Sequence, residues 1–334
     1  MTKKTELQPA PDHPPTDRIT SVSIVVPFLN EEDTLAALYE ELSAVESELG
    51  TPFEIIFVDD GSTDKSRSVA QDLAARHDNL RLIGFRRNFG KAAALSYGFR
   101  VATGDVVVTM DADLQDDPKE IPRFIEEIQS GADLVSGWKR RRHDPIDKTL
   151  PSRIFNAMTS RAFNIEIHDI NCGFKAYRRE VLSHLNLYGE LHRFTPALAN
   201  AGGFSVREIE VEHRAREHGV SKYGWSRMVK GLLDLLTVML ITRYGARPLH
   251  FFGMIGLPIL GLGGLFIGYL SVLWLLGMGP IGTRPLLQIG ILFVVTGVQL
   301  LGIGLIAELV LASKLREDDK YVAQPLDDKS ERPE

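Results

Sequence analysis

Residues 53–64 read Phe-Glu-Ile-Ile-Phe-Val-Asp-Asp-Gly-Ser-Thr-Asp, and this stretch decides the fold. Its first half is a short run of β-branched and aromatic residues, which is typical of a strand buried on both faces of a sheet. Its second half consists of Asp, Gly, Ser and Thr, residues that favour turns. The stretch therefore predicts a buried strand that leads into an acidic turn.

The same alternation of strands and turns continues on both sides of this stretch. Further strands are predicted at 23–28, 80–85, 132–138, 204–213 and the start of 105–115. Segments with helical spacing are predicted at 31–49, 64–76, 91–102 and 118–130. Alternating β and α units of this size predict a mostly parallel sheet covered by helices.

The composition of the chain is not uniform along its length. Charged residues make up 25% of the 334 residues, yet residues 249–312 contain only Arg284 and Glu308. Residues 249–278 and 286–312 are each long enough to cross about 30 Å of hydrocarbon at a rise of about 1.5 Å per residue. We therefore predict a two-helix transmembrane hairpin, with a buried hydrophobic hairpin of a soluble protein as the alternative.

Residues 221–248 precede the hairpin and combine a Leu, Met and Val face with basic side chains. They predict an amphipathic helix at the membrane surface, and a core helix of the domain is the alternative. Lys and Arg flank both ends of the hairpin, which predicts an integral membrane protein with the polar domain and both termini in the cytoplasm. The domain then covers residues 21–220, and the tails 1–20 and 313–334 are predicted to be disordered.

Gly264 and Gly268 form a GxxxG pattern inside the first predicted membrane helix. Small residues at this spacing let two helices approach closely. We expect these glycines to pack within the hairpin, and a homo-oligomer contact is the alternative.

The overall composition disfavours two classes of function. One cysteine excludes an intramolecular disulfide framework and a cysteine-rich zinc site. The formal net charge of −6 gives no support for nucleic-acid binding. Candidate chemistry is therefore expected at the acidic ends of the predicted strands.

Acidic residues follow two of the predicted strands. Asp59 and Asp60 end the second strand, and Asp111 and Asp113 follow the fourth. Ligands of open α/β sheets bind at the carboxyl ends of the strands. Two carboxylates there, with Gln115 as an added amide oxygen, suit Mg²⁺ or Mn²⁺ that also holds substrate phosphates. Solvated acids in a turn are the alternative.

Four motifs occur in order: Pro27-Phe-Leu-Asn-Glu31, Val58-Asp-Asp-Gly-Ser-Thr-Asp64, Arg87-Asn-Phe-Gly-Lys91 and Asp111-Ala-Asp-Leu-Gln-Asp-Asp-Pro118. Together they resemble family 2 glycosyltransferases. The hairpin and a basic insert at 139–165 make the chain similar to polyprenyl-phosphate hexose synthases, such as dolichol-phosphate mannose synthase and undecaprenyl-phosphate glucosyltransferases. The resemblance implies an α/β, mostly parallel GT-A (Rossmann-like) domain, followed by an amphipathic interfacial helix and the transmembrane hairpin.

The resemblance also implies roles for individual residues. Donor-binding residues are implied at Pro27, Asn30, Glu31, Asp59, Asp60, Arg87, Lys91, Asp111 and Ala112. Asp111, Asp113 and Gln115 are implied ligands of the Mg²⁺ or Mn²⁺ that bridges the donor diphosphate. Asp113 is catalytic in this scheme, together with Arg216 and Lys222, which close on the diphosphate, with Arg214 as the next candidate and solvated charges in a loop as the alternative.

The acceptor implied by the resemblance is the phosphate of a polyprenyl lipid. Lys139 and Arg153 occupy positions similar to the family's phosphate-binding arginines, and Arg142 is a substitute candidate for Lys139. Attraction of the basic insert to anionic headgroups is the alternative. Gly173 stands where some relatives have an acid, and an ionised phosphate needs no general base.

The implied function is that of an inverting glycosyltransferase, which moves a hexose from a nucleotide sugar to polyprenyl or dolichyl phosphate at the membrane surface. The Asp-Asp-Gly-Ser turn favours UDP-glucose over GDP-mannose. One alternative is a processive polysaccharide synthase, a class that carries a QxxRW motif and more membrane helices. A second is a non-catalytic membrane scaffold that keeps the fold, although such a scaffold has no use for clustered acids at strand ends.

Overall fold

The structure of the protein is a computed structural model that describes residues 19–140, 156, 158–161, 163, 165–214, 226–245 and 247–314. The chain divides into two compact units, and the division lies between Met239 and Leu240. The first unit contains a β-sheet, and the second contains two long apolar helices.

The first unit is built on a sheet to which the described residues contribute seven strands. These are β1 (Val22–Phe28), β2 (Phe53–Asp59), β3 (Leu80–Gly84), β4 (Val106–Thr109), β5 (Leu134–Trp138), β6 (Lys175–Arg178) and β7 (Val206–Glu210). Their order across the sheet is β3-β2-β1-β4-β6-β5-β7. β3, β2, β1 and β4 pair in parallel, as do β5 and β7, so the predicted mostly parallel sheet is confirmed.

Strand β6 runs antiparallel to both of its neighbours and is not among the strands predicted from the sequence. Lys175 opposes Thr109 of β4 and Ser136 of β5. A four-residue segment with Lys and Arg at its ends shows no apolar run from which a strand is predicted. Lys175 and Tyr177 are nevertheless 2% and 1% exposed, because β6 lies inside the sheet.

Helices connect the strands of this unit: α1 (Leu35–Leu49), α2 (Ser66–Arg76), α3 (Lys91–Val101), α4 (Ile121–Gln129), α5 (Arg179–His184) and α6 (Thr195–Ala201). The first four lie within the segments predicted as helical. α1 ends at Gly50, whose φ is 68° and whose N–H donates to the Glu46 carbonyl oxygen at 3.0 Å. Glycine adopts this left-handed conformation without a Cβ clash, so the sequence itself sets the end of the helix.

Apolar clusters cover both faces of the sheet. Ile24 is fully buried with Leu38 of α1, and the next residue, Val25, is fully buried with Leu95 of α3 and Ile56 of β2. Successive side chains of a strand point to opposite faces. The continuous apolar run of β1 therefore follows from helices that cover both faces of the sheet.

Helix α7 (Ser226–Arg243) follows the sheet in sequence. Leu235 and Val238 are buried in a third apolar cluster of the first unit, so one side of the helix packs into the domain. Leu233 and Leu236 are instead 57% and 45% exposed. A helix is therefore present within the segment predicted to be amphipathic, and its amphipathic character and its placement at a membrane surface stay predictions.

The second unit contains α8 (Pro248–Leu275) and α9 (Pro285–Lys314), which pack along each other. Both are long and apolar enough to cross a membrane, and only 17% of an apolar 18-residue stretch in each helix is buried. Core helices of soluble domains are mostly buried, so the exposure favours the transmembrane hairpin. The Leu249 N–H donates to Glu308 Oε2 at 3.1 Å, which places the acid of α9 at the N-terminus of α8.

Glycines allow close packing in the hairpin, but not the glycines of the GxxxG pattern. A Cβ atom at Gly263 would lie 2.7 Å from the Gly290 carbonyl oxygen. Cβ atoms at Gly264 and Gly268 would meet no atom within 4 Å. The expectation that Gly264 and Gly268 pack within the hairpin is therefore wrong, because both lie away from the α8–α9 contact.

Candidate active site

The carboxyl ends of β1, β2, β3 and β4 lie at one edge of the sheet, because these strands are parallel. β2 ends at Asp59, and β4 is followed by residues 111–117, which we call the acidic loop. The predicted donor and metal residues that the structure describes follow these strand ends or are among the last two residues of a strand. This edge is therefore the candidate active site.

Asp59 and Asp60 are buried, and their carboxylates accept hydrogen bonds from the chain itself. Asp59 accepts from the Ser62 N–H at 2.7 Å and from Arg67 Nε at 2.5 Å. Asp60 accepts from the N–H groups of Phe89 and Gly90 at 2.7 and 2.9 Å. The two acids therefore hold the turn after β2 and the loop before α3, and their contact with a donor nucleotide stays a prediction.

Three predicted donor residues lie at the end of β1. Pro27 is buried within the strand and presents no polar side chain. Asn30 has a left-handed φ of 58°, and its Oδ1 accepts from the Thr63 N–H at 2.8 Å. The Glu31 N–H donates to Ser66 Oγ at 2.7 Å. These bonds join the turn after β1 to the turn after β2.

Lys91 begins α3 and forms an ion pair with Asp111, and the two side chains are 33% and 35% exposed. Burial acts to raise the pKa of Asp111, but the charges of Lys91 and Lys139 outweigh it and lower the pKa to about 2. Asp111 is therefore ionised at neutral pH. Arg87 lies nearby along the chain, with its guanidinium 4.6 Å from the centre of the Phe89 ring.

An uncommon backbone conformation bends the acidic loop. Leu114 has a φ of 60°, a left-handed value that is costly for a non-glycine residue and is enriched at functional sites. The bend lets the Gln115 N–H donate to Asp113 Oδ1 at 3.3 Å. Ala112, between the two acids, is 3% exposed. The loop thus holds Asp113 and Gln115 together while Ala112 is buried.

Asp111 and Asp113 fit Mg²⁺ or Mn²⁺ only if water and substrate phosphates supply the other ligands of the ion. Within the described part of the chain, no three His, Cys, Asp or Glu side chains form a group that could hold a metal ion. Mg²⁺ is commonly bound by one or two carboxylates and takes its other ligands from water and substrate phosphates. The two carboxylates and the Gln115 amide fit such an ion, and they do not form a closed protein cage.

Lys139 has a partner inside the protein. Its Nζ lies 2.7 Å from Asp116 Oδ1, and the two side chains are 13% and 0% exposed. Burial acts to lower the pKa of Lys139, but the Asp116 carboxylate outweighs it and raises the pKa. The neighbouring Arg140 pairs with Glu210 and is 64% exposed. Lys139 therefore ties the acidic loop to the end of β5, and its contact with an acceptor phosphate stays a prediction.

Comparison with known proteins identifies the family. The family model described as Glycosyl transferase family 2 matches residues 23–185. A dodecaprenyl-phosphate galacturonate synthase of Rhizobium johnstonii is 39% identical over 318 residues, which cover 93% of this chain and 94% of that protein. The chain belongs to glycosyltransferase family 2. An undecaprenyl-phosphate 4-deoxy-4-formamido-L-arabinose transferase of Pseudomonas fluorescens is 38% identical over 87% of this glycosyltransferase and 85% of that relative.

A solved structure has the same fold as the sheet domain of this glycosyltransferase. It is glucosyl-3-phosphoglycerate synthase from Mycobacterium tuberculosis in complex with Mn²⁺, uridine diphosphate and phosphoglyceric acid. The two structures match with a TM-score of 0.52 and 20% identity, over 66% of this chain and 78% of that chain. The similarity confirms the GT-A fold expected from the motifs, and at this identity it shows the fold alone.

Four predicted site residues of the glycosyltransferase lie outside the described residues: Arg142, Arg153, Arg216 and Lys222. Their implied roles, acceptor-phosphate binding for the first two and diphosphate binding for the others, stay predictions.

Two polar residues to which the sequence assigns no role lie within electrostatic reach of the Lys91–Asp111 pair. Lys175 of β6 is 2% exposed, its Nζ lies 3.5 Å from the Ile170 carbonyl oxygen, and burial lowers its pKa to about 8. His192 has a buried Nδ1 without a hydrogen-bond partner among the described residues, and burial lowers its pKa to about 3. Only the three-dimensional fold reveals them, because neither sits in a strand-end motif.

Gly173 lies close beside the Asp111 carboxylate. A Cβ atom at this position would lie 3.0 Å from Asp111 Oδ2. An acidic side chain here would stand next to an ionised carboxylate and repel it. The absence of a side chain at Gly173 therefore lets the backbone lie close to Asp111 without crowding its carboxylate.

Proposed function

We propose that this glycosyltransferase transfers one sugar from a nucleotide sugar to a polyprenyl phosphate. The observation that carries the proposal is the 39% identity to the dodecaprenyl-phosphate galacturonate synthase over 93% of the chain. A match of that extent includes the sheet domain and the hairpin. The second relative is also named for a sugar transfer involving a polyprenyl phosphate.

The donor is proposed to be a UDP-sugar. The Asp-Asp-Gly-Ser turn favours UDP over GDP, and the structural neighbour was solved with uridine diphosphate. The relatives are named for galacturonate and for a formamido-arabinose, and neither name contains glucose. These names favour a modified or acidic sugar over the UDP-glucose expected from the turn alone.

Residues at the strand ends bind and orient the donor in this proposal. Asp111, Asp113 and Gln115 would hold Mg²⁺ or Mn²⁺, and such an ion would supply positive charge to the leaving diphosphate. The neighbour solved with Mn²⁺ supports this assignment by analogy of fold. Lys91 supplies a positive charge beside Asp111, at the N-terminal end of α3, where the helix dipole also favours an anion.

The transfer is a single displacement. An oxygen of the acceptor phosphate attacks the anomeric carbon, the bond from that carbon to the diphosphate oxygen breaks, and the configuration inverts. The phosphate oxygen carries a negative charge at neutral pH, so no side chain has to remove a proton. Gly173 places no side chain beside Asp111, which agrees with a reaction that needs no general base there.

The acceptor is proposed to be bound by basic residues while the chain is anchored in a membrane. Arg153 and Arg142 are the proposed phosphate ligands. Lys139 is close to Arg142 in sequence, and Asp116 holds its ammonium group in an ion pair. Arg216 and Lys222 are proposed to bind the leaving diphosphate. The chain is proposed to be an integral membrane protein whose sheet domain and termini are cytoplasmic.

A donor panel tests the proposal. Purified full-length protein is incubated with undecaprenyl phosphate, Mg²⁺ or Mn²⁺, and labelled UDP-glucose, UDP-galacturonate or GDP-mannose. We expect label from a UDP-sugar in the organic phase, and loss of that signal when the metal is chelated. Label that stays in water with every donor, with lipid and metal present, would contradict transfer to a lipid.

A further inference from the structure

Arg214 lies just beyond β7, where it contacts two acidic residues from different parts of the fold. Its guanidinium donates to both carboxylate oxygens of Glu41 in α1, each at 2.8 Å. It also lies 2.9 Å from Asp117 Oδ2, at the end of the acidic loop. One side chain therefore joins α1 to the acidic loop.

The backbone around Arg214 follows the acidic loop as well. The Arg214 N–H donates to the Gln115 carbonyl oxygen at 3.0 Å. The preceding residue, His213, forms an isolated antiparallel bridge with Asp116. Residues 213–214 are thus held along the loop by the main chain and by the guanidinium.

These contacts continue inward to Asp111. Asp116 is fully buried, and its Oδ2 lies 3.4 Å from the Asp111 backbone nitrogen. Its Oδ1 pairs with Lys139 at 2.7 Å. A displacement of the outer end of the loop therefore alters the position of Asp116 and, through it, the backbone at Asp111.

The two acids of this cluster suit the separate donor nitrogens of arginine. The guanidinium carries its terminal nitrogens in a planar fork, so that Nη1 contacts both oxygens of Glu41 while Nη2 lies beside Asp117. A lysine ammonium has no such planar fork and acts as a point charge. Arg214, Glu41 and Asp117 are 37%, 35% and 15% exposed, so the cluster is only partly screened by water.

We propose that Arg214 is a positioning residue, which acts through Gln115 and Asp117 to hold the acidic loop in the shape that binds the donor. The role rests on the proposed function, in which Asp111 and Asp113 bind the metal and the donor diphosphate. Arg214 itself touches no substrate in this scheme, because Glu41 and Asp117 occupy its guanidinium.

The test compares Arg214→Ala and Arg214→Lys with a matched control, Arg207→Ala, in the full-length protein. Arg207 lies in β7 and pairs with Glu127 of α4 at 2.8 Å, with side chains 30% and 37% exposed. The control therefore loses a similar ion pair away from the acidic loop. Amide hydrogen exchange of residues 110–118 and the donor KM and kcat are measured for each variant.

We expect Arg214→Ala to speed exchange of residues 110–118 and to raise the donor KM roughly 10-fold, the scale of a lost charged hydrogen bond. Arg214→Lys is expected to recover part of both effects, and Arg207→Ala to show neither. Unchanged exchange in Arg214→Ala, or faster exchange with unchanged kinetics, would overturn the positioning role. The exchange measurement needs no substrate, so it still tests the contact with the loop if the wild-type protein transfers no sugar.

Discussion

Two acids of the acidic loop serve two different tasks. Asp116 is fully buried and binds Lys139, whereas Asp111 remains about one third exposed beside Lys91. The first pair anchors the loop, and the second leaves a carboxylate with a pKa of about 2 at the edge of the sheet. An acid ionised at every working pH suits cation binding better than proton transfer.

Asp113→Ala tests the metal assignment at this scale. Removing one of two carboxylate ligands should lower kcat/KM for sugar transfer by roughly 10²-fold or more, the scale of a lost electrostatic contact at a reacting centre. The melting temperature should change little, because Asp113 is only partly buried. Asp72→Ala, which removes an exposed carboxylate from α2, is the control. Full activity of Asp113→Ala would remove this residue from the metal site.

Lys139→Met separates an anchoring role from acceptor binding. Breaking a buried ion pair leaves Asp116 charged and unpaired, which costs about 3 kcal/mol or more. The melting temperature of the detergent-solubilised protein should fall by roughly 5–10 °C. Arg140→Met breaks an exposed pair with Glu210 and should leave melting nearly unchanged. Normal melting of Lys139→Met with weakened use of the lipid acceptor would instead assign Lys139 to the acceptor phosphate.

At the scale of elements, the parts that the sequence predicts are those with a local signal. Apolar runs mark β1 to β5, and Gly50 marks the end of α1. β6 has no such signal, because burial of Lys175 is decided by its neighbours in the sheet. The role of Arg214 is hidden for the same reason: its partner Glu41 is distant in sequence. The acidic motifs predict where the site lies, whereas contacts between residues that are distant in sequence hold it in place.

The hairpin shows the same limit of a local pattern. GxxxG marks Gly264 and Gly268, yet the contact between α8 and α9 uses Gly263 and Gly290. Which side of an apolar helix faces its partner depends on the partner helix. A pattern in one helix therefore predicts that close packing occurs and does not predict where.

Adjacent glycines give a matched test of the hairpin. In Gly263→Val the new Cβ would lie 2.7 Å from both Gly290 O and Val294 N, so the helices have to separate. Overpacking of this kind typically costs about 1–3 kcal/mol. Gly264→Val should be tolerated, because a Cβ there meets no atom within 4 Å. Thermal melting in detergent compares the two, and equal destabilisation would contradict the packing described.

At the scale of the whole molecule, the two compact units contain segments of very different charge content. A domain rich in charge carries the acidic site, and a nearly uncharged hairpin supplies two helices long enough to cross a bilayer. An enzyme that joins a water-soluble donor to a lipid acceptor needs access to both phases. The distribution of charge along the chain agrees with that requirement.

The proposed orientation is tested by cysteine labelling in intact cells. The chain has one cysteine, Cys172, which is buried, so the wild-type protein should react little with a membrane-impermeant maleimide. Gly282→Cys, between α8 and α9, should react from outside. Asp72→Cys, on the exposed side of α2, should react only after lysis. The opposite pattern would place the sheet domain outside the cytoplasm.

The most direct test of the proposed function is the mass of the lipid product. Wild-type protein, undecaprenyl phosphate and the UDP-sugar accepted in the donor panel are incubated with Mg²⁺ or Mn²⁺, and the organic phase is analysed by mass spectrometry. We expect one new species, equal to the polyprenyl phosphate plus a single sugar residue, which disappears in Asp113→Ala. A ladder of added sugars would indicate a processive synthase, and no lipid-linked sugar at all would contradict the proposed transfer.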